Sequence, residues 1–177
     1  MRKLANNELH RLDVQQFKQA AKTPLIVVLD NVRSLNNVGS VFRTSDAFLV
    51  EKIYLCGITA TPPNKEIHKT ALGATDSVDW EYAPDTLTVV ERLKTEGVVV
   101  ISIEQAEDSL MLYNFNPKPA AKYAVIFGNE VKGVTQEVVS ASHQVIEIPQ
   151  FGTKHSLNVS VSAGIVIWEL AMKLKQV

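Results

Sequence analysis

Cysteine is almost absent from this 177-residue chain: Cys56 stands alone. That excludes an internal disulfide framework and a multi-cysteine zinc site, and it fits a reducing compartment. Long hydrophobic runs are also missing. The longest apolar stretches, such as 98–103, are strand-sized and fall far short of the roughly 20 residues that cross a bilayer. No apolar run of signal-peptide length opens the chain, where charges recur at Glu8, Arg11 and Asp13, so it reads as mature and soluble. Neither sign of charge is in excess. With 18 basic against 19 acidic residues the formal charge is -1, so gross electrostatics does not mark a nucleic-acid binder and any polyanion site must be local. What remains, 46% hydrophobic, 21% charged and 7% aromatic, excludes global disorder and implies one compact domain, since two full domains would be a squeeze.

The common nucleotide and hydrolase signatures are lacking too. No Gly-x-Gly-x-x-Gly follows a strand pattern, and no Gly-Lys-Ser/Thr closes a phosphate loop. Ser160-Val-Ser162-Ala-Gly164 lacks the first glycine of a nucleophile elbow, and His10, His68, His143 and His155 show no zinc-ligand spacing. Ordinary NAD, ATP, hydrolase and metalloenzyme chemistries are therefore disfavoured.

Present instead is an alternation of strand and helix patterns. After Pro24 comes Leu25-Ile-Val-Val-Leu-Asp30, the continuous aliphatic run expected of a strand buried on both faces. Further strands are predicted at 52–56, 78–82, 97–103, 123–127 and 145–148, and helices at 40–48, 65–72, 86–95, 135–141 and 157–175. This order implies an α/β fold, a mostly parallel sheet with helices on both faces. Leu157, Val161, Ile165, Trp168 and Met172 form one stripe, suited to core packing or to a subunit interface. Residues 108–122, with Pro117 and Pro119, read as a long loop. Residues 1–22 read as a helical extension preceding a domain over 23–177. Arg2, Lys3, Arg11, Lys18 and Lys22 against Glu8 and Asp13 give that extension a net +3. A solvated amphipathic helix fits this charge pattern better than a basic arm for a phosphate backbone.

Three loops following predicted strands hold the residues with chemistry to offer, at the sheet edge where ligands gather in open α/β folds. In the first, Asn37 and Gly39 suit a tight strand-to-helix turn. Arg43, forked, permanently charged and near the helix start, suits a phosphate or a developing oxyanion. The plainer alternative makes Asn37 a helix cap and pairs Arg43 with Asp46. The second loop, Phe127-Gly-Asn-Glu-Val-Lys-Gly133, has glycines that admit close backbone approach. Its Glu130 is either a rim carboxylate or a group that bonds a ligand or orients Arg43. The third runs from Ile148 past Ser156 and Asn158 into the last helix, where free N–H groups attract anions, or where Ser156 is simply an N-cap.

In content and order these loops resemble the motifs of the SpoU or TrmH family of RNA 2′-O-ribose methyltransferases, part of the SPOUT superfamily. The matching pieces are Asn-x-Gly-x-x-x-Arg at Asn37 to Arg43 with Thr44-Ser-Asp-Ala-Phe48, Phe-Gly-Asn-Glu-x-x-Gly at Phe127 to Gly133, Ile-Pro at Ile148, and Ser-Leu-Asn-Val-Ser at Ser156 to Ser160. The likeness runs from Leu25 to the C-terminus; residues 1–22 stand where the family carries an RNA-binding extension. The resemblance implies a C-terminal deep trefoil knot, a rare exception to unknotted connections, and a homodimer. It implies S-adenosylmethionine held by Ile103, Phe127, Gly128, Ile148, Ser156 and Leu157. It also implies a catalytic cluster of Asn37, Arg43, Glu130, Ser156 and Asn158, with Arg43 completing the neighbouring subunit's site.

The implied reaction is methylation of a ribose 2′-hydroxyl in tRNA or rRNA without a metal, with tRNA favoured by the short chain and the cytoplasm as the expected location. The expected RNA side carries Arg2, Lys3, Arg11, Arg33, Arg43, Lys132 and Lys154, with the acid-rich stretch 84–113 facing away. Two readings compete. One is a catalytically inactive RNA-binding protein of the same fold, against which the intact Arg43, Glu130, Ser156 and Asn158 argue. The other is a small dehydrogenase, against which the missing glycine fingerprint counts.

Overall fold

The computed structural model describes residues 1–175. Seven strands, β1 (Thr23–Asp30), β2 (Val50–Cys56), β3 (Trp80–Ala83), β4 (Val99–Ile103), β5 (Leu110–Met111), β6 (Tyr123–Phe127) and β7 (Gln144–Glu147), form one sheet. Their order is β3-β2-β1-β6-β4-β7-β5, and every neighbouring pair is parallel. The helices are α1 (Val14–Gln19), α2 (Leu35–Ala47), α3 (Lys65–Ala71), α4 (Ala74–Ser77), α5 (Thr86–Thr95), α6 (Gln136–Ala141) and α7 (Val159–Lys175).

A parallel sheet is covered on both faces, and the period-2 alternation of a strand divides its side chains between them. In β1, Leu25, Val27 and Leu29 join a core with α2, α3, α4 and α7, whereas Ile26 and Val28 join a second core with α5 and α6. The uniformly aliphatic run is thus explained by a strand with no solvent face.

Helix ends are set by local side chains. Ser34 Oγ accepts from the Asn37 backbone N–H at 3.3 Å, so α2 starts at Leu35 rather than at residue 40. Asn37 is consequently in its first turn and is not its cap, and Arg43 lies well inside the helix. Gly39 is a helical residue, not a turn residue. A Cβ on it would fall 2.3 Å from the Ile67 carbonyl oxygen, so its lack of side chain sets how closely α2 and α3 pack. Asn64 and Asp85 cap α3 and α5 in the same way.

The predicted loop 108–122 contains β5 and a 3-10 turn, Leu112–Asn114. Within 1–22, helix is confined to a 3-10 turn, Asn6–Glu8, and to α1, which Asp13 and Gln16 open with a capping box. Phe17 is the residue of α1 that reaches the core, so little apolar packing supports a longer helix there.

Strand order also decides the threading. β7 lies between β4 and β5, which are consecutive strands, so the C-terminal segment is inserted between two strands already laid down. This order is consistent with the knotted connection the resemblance implies. Beyond it, α7 returns to pack on α2 and β1. It buries Val159, Ala163, Val166, Ile167, Leu170 and Ala171, and leaves Val161, Ile165 and Trp168 exposed with Met172 half-buried. The predicted stripe is therefore not core packing. No helix among the described residues is long and apolar enough to cross a membrane.

Candidate active site

The C-terminal ends of β4, β6 and β7, together with the segment entering α7, enclose a cavity of about 510 Å³. Ile103, Phe127, Gly128, Ile148, Ser156 and Leu157 all line it. Ile103, Phe127, Ile148 and Leu157 make part of the wall apolar, and backbone supplies much of the rest. Gly128 sits so close to the following turn that an added Cβ would lie 2.1 Å from the carbonyl carbon of Gly133. Gly133 has φ 68° and would set its own Cβ 2.1 Å from Glu104 Oε2, so both positions demand glycine.

Glu104 is a cavity residue that the sequence reasoning did not single out. Its carboxylate accepts from the backbone N–H groups of Val134, at 3.0 Å, and Gln105, at 2.9 Å, joining the ends of β4 and the 128–133 loop. It belongs to the acid-rich stretch 84–113, and it lines the cavity wall. The signal was its position, directly after a predicted strand like the other three loops. Gln105, Gln150 and His155 also line the cavity and were missed.

Beside the cavity, three polar side chains from distant segments form one chain of hydrogen bonds. Glu130 Oε2 accepts from Arg33 N, and Oε1 accepts from Ser34 N, each at 2.9 Å, so the carboxylate sits on the N-terminus of α2. Oε1 also accepts from Asn37 Nδ2 at 3.0 Å. Asn37 Oδ1 in turn accepts from Asn158 Nδ2 at 3.1 Å, and Asn158 Oδ1 accepts from Ser160 N at 2.9 Å, capping α7. Asn158, rather than Ser156, is thus the cap, and Ser156 is left in the cavity wall. Partial burial pushes the Glu130 carboxyl up. The two backbone donors and the Asn37 amide outweigh that and hold it below the usual carboxylate range. Glu130 is therefore an ionised residue whose bonds fix the loops around the cavity.

Arg43 is not brought into this group. It is exposed and borders a separate groove with Leu12, Phe17, Asp46 and Leu72. The alternative pairing with Asp46 is not formed either; Asp46 instead accepts from the Ser77 hydroxyl. In the extension, Arg2 pairs with Glu8 at 2.6 Å and Lys18 with Asp79 at 3.1 Å, which reduces the free positive charge expected of an RNA arm. Burial pushes the Cys56 thiol up to about 12, so it offers no thiolate nucleophile.

Residues 24–168 match the SpoU rRNA Methylase family. The chain is 30% identical over 165 residues to the 23S rRNA (guanosine-2′-O-)-methyltransferase RlmB of Neisseria meningitidis, which covers 93% of this chain and 64% of that protein, just under two thirds of its length. It is 33% identical over 161 residues to the tRNA (guanosine(18)-2′-O)-methyltransferase of Aquifex aeolicus, covering 88% of this chain and 72% of the relative. The structure of an AdoMet-bound rRNA methyltransferase from Sinorhizobium meliloti superposes with a TM-score of 0.77 at 26% identity, over 85% of this chain and 59% of that one.

Proposed function

This chain belongs to the SpoU rRNA methylase family, and from that premise we propose that it transfers the methyl group of S-adenosylmethionine to a ribose 2′-hydroxyl of RNA. The observation that carries the reading is the convergence of all six expected donor-binding residues on one cavity, with the Asn37–Glu130–Asn158 chain alongside. The cavity fits the donor. Its apolar side chains suit the faces of an adenine, the glycine-bounded backbone supplies close polar edges, and Glu104 and Gln105 offer groups for hydroxyls and an ammonium. When bound, S-adenosylmethionine supplies an electrophilic methyl on a sulfonium.

The chain's own residues contribute position and charge. Ile103, Phe127, Gly128, Ile148, Ser156 and Leu157 hold the donor and keep water from it. Ionised Glu130 ties the 128–133 loop to α2, Asn37 passes that constraint to Asn158, and Asn158 fixes the start of α7. Holding donor and hydroxyl in line recovers much of the barrier by orientation. The forked guanidinium of Arg43 grips the phosphate beside the acceptor ribose and electrostatically favours loss of the hydroxyl proton to solvent.

Arg43 stands away from its own chain's cavity, which supports a homodimer in which each Arg43 serves the partner's cavity. The exposed Val161, Ile165 and Trp168 on α7 supply an apolar face for that contact. Relatives named for tRNA and for rRNA match at similar identity, 33% against 30% and 32%, and of the two acceptors we put tRNA first. The cytoplasm, where such RNA is met and where Cys56 stays a thiol, is the proposed location.

The test is calorimetric titration with S-adenosylmethionine, then transfer of labelled methyl to RNA from a strain deleted for the gene, with 2′-O-methyl positions mapped. Donor binding and a labelled ribose are expected. RNA binding without donor binding would establish the inactive RNA-binding protein instead, and labelling of rRNA alone would reverse the order of acceptors.

A further inference from the structure

Two loops frame the cavity mouth, and each carries the same unusual pairing. In the segment between β7 and α7, Phe151 is 96% exposed, the most exposed aromatic among the described residues, and Lys154 follows three positions later. In the 128–133 loop Val131 is 77% exposed, with Lys132 beside it. Neither lysine forms an ion pair with a described residue. Both loops also contribute to the cavity wall, through Gln150 and His155 on one side and through Val131 and Lys132 on the other.

The Phe151 loop is tethered and does not hang free. Gln105 Nε2 donates to the His155 carbonyl oxygen at 2.8 Å, and Asn158 secures its far end to Asn37. A bare ring and a bare cation presented from a fixed loop match one ligand chemistry, a nucleotide, whose base offers a flat π-face and whose phosphate offers the charge. A second copy of this chain suits the patch less well. A two-fold contact centred here would set the lysines against their own copies, while α7 already offers an apolar face elsewhere.

We propose that Phe151 stacks on a base of the acceptor RNA, with Lys154 and Lys132 on flanking phosphates. This rests on the RNA reading above and adds the residues that grip the strand outside the donor cavity. Stacking tolerates any base, so Phe151 serves to hold a nucleotide splayed at the mouth and does not read its identity.

The test measures fluorescence anisotropy of labelled unfractionated tRNA and of rRNA fragments with Phe151→Ala, Phe151→Trp and Lys154→Gln. Loss of the ring should weaken RNA binding about tenfold or more, without altering the slope of log affinity against log salt, and tryptophan should restore it. Lys154→Gln should reduce that slope by about one. S-adenosylmethionine affinity and the sedimentation coefficient should match the unsubstituted protein in all three. Unchanged RNA affinity in Phe151→Ala, no recovery with tryptophan, or an altered oligomeric state would overturn the proposal. If the unsubstituted protein binds RNA and S-adenosylmethionine while Phe151→Ala is without effect, only this inference falls. If it binds neither, the methyltransferase reading falls with it.

Discussion

At the scale of single residues, the site is organised by one carboxylate. Glu130 holds two backbone donors on separate oxygens, so an amide in its place can accept from one and must turn its NH2 towards the other. Glu130→Gln should therefore cost about 1.5–3 kcal/mol at pH 7, the range for hydrogen bonds to a charged group, and should lower methyl transfer more than donor affinity. The pH dependence has a definite sign. The folded carboxyl titrates below its unfolded counterpart, so its stabilisation is complete above about pH 4.3, the ordinary glutamate value. It is lost as the pH falls through the lowered folded value. Denaturant titrations of both proteins at pH 7 and in the acid range should thus converge on acidification; a gap that stays constant would refute an ionised Glu130.

The element scale is where helix ends and close approaches matter. Asn37 reaches Glu130 and Asn158 because Ser34 starts α2 early, and Asn158 is available because it caps α7. Between α2 and α3 the limiting contact is at Gly39, where a Cβ would lie 2.3 Å from backbone and 2.1 Å from Thr70 Oγ1. Gly39→Ala must push the two helices apart, which should destabilise the fold by about 1–3 kcal/mol, typical of overpacking. Since α2 carries Asn37, activity should fall with stability, and thermal melting alongside turnover checks both. Extents of α5 and β6 were close to legible because each is a short run with clear local boundaries, the Asp85 cap and Gly97, and Gly128, whereas β1 begins at Thr23, ahead of the proline expected to precede it. The start of α2 was misread because a serine cap gives a weaker signal than the Asn-x-Gly sequence that follows it. β5 went unseen because two residues carry no period; only pairing with β7 makes them a strand.

For the whole molecule, the decisive arrangement is the passage of the C-terminal segment between β4 and β5, which brings Ile148, Ser156 and Leu157 against Ile103, Phe127 and Gly128. The same passage sends α7 across α2 with Trp168 52% exposed. Trp168→Glu should convert a dimer to monomer in sedimentation equilibrium, with an unchanged far-ultraviolet spectrum and donor affinity, because the side chain lies outside the core and the cavity. Methyl transfer should drop at least tenfold if Arg43 acts across the dimer. Mixing inactive Arg43→Ala with inactive Asn158→Ala should then restore activity as heterodimers form, because one composite site keeps both intact residues. No recovery after subunit exchange would place Arg43 in its own chain's site.

The sequence alone determined the α/β class, since uninterrupted aliphatic strands alternating with amphipathic helices can bury their apolar surface only as a covered parallel sheet. It also pointed to three of the segments that line or border the cavity, because glycines, amides and a carboxylate follow apolar strands there, while the segment at Glu104 and Gln105 went unmarked. Tertiary structure alone decided which of those residues meet. Hydrogen bonds between positions 37, 130 and 158 depend on strand order and threading, which local periodicity does not encode. The same holds for the separation of Arg43 from the cavity and for the outward turn of the α7 stripe, as the face a helix buries is chosen by its neighbours in space.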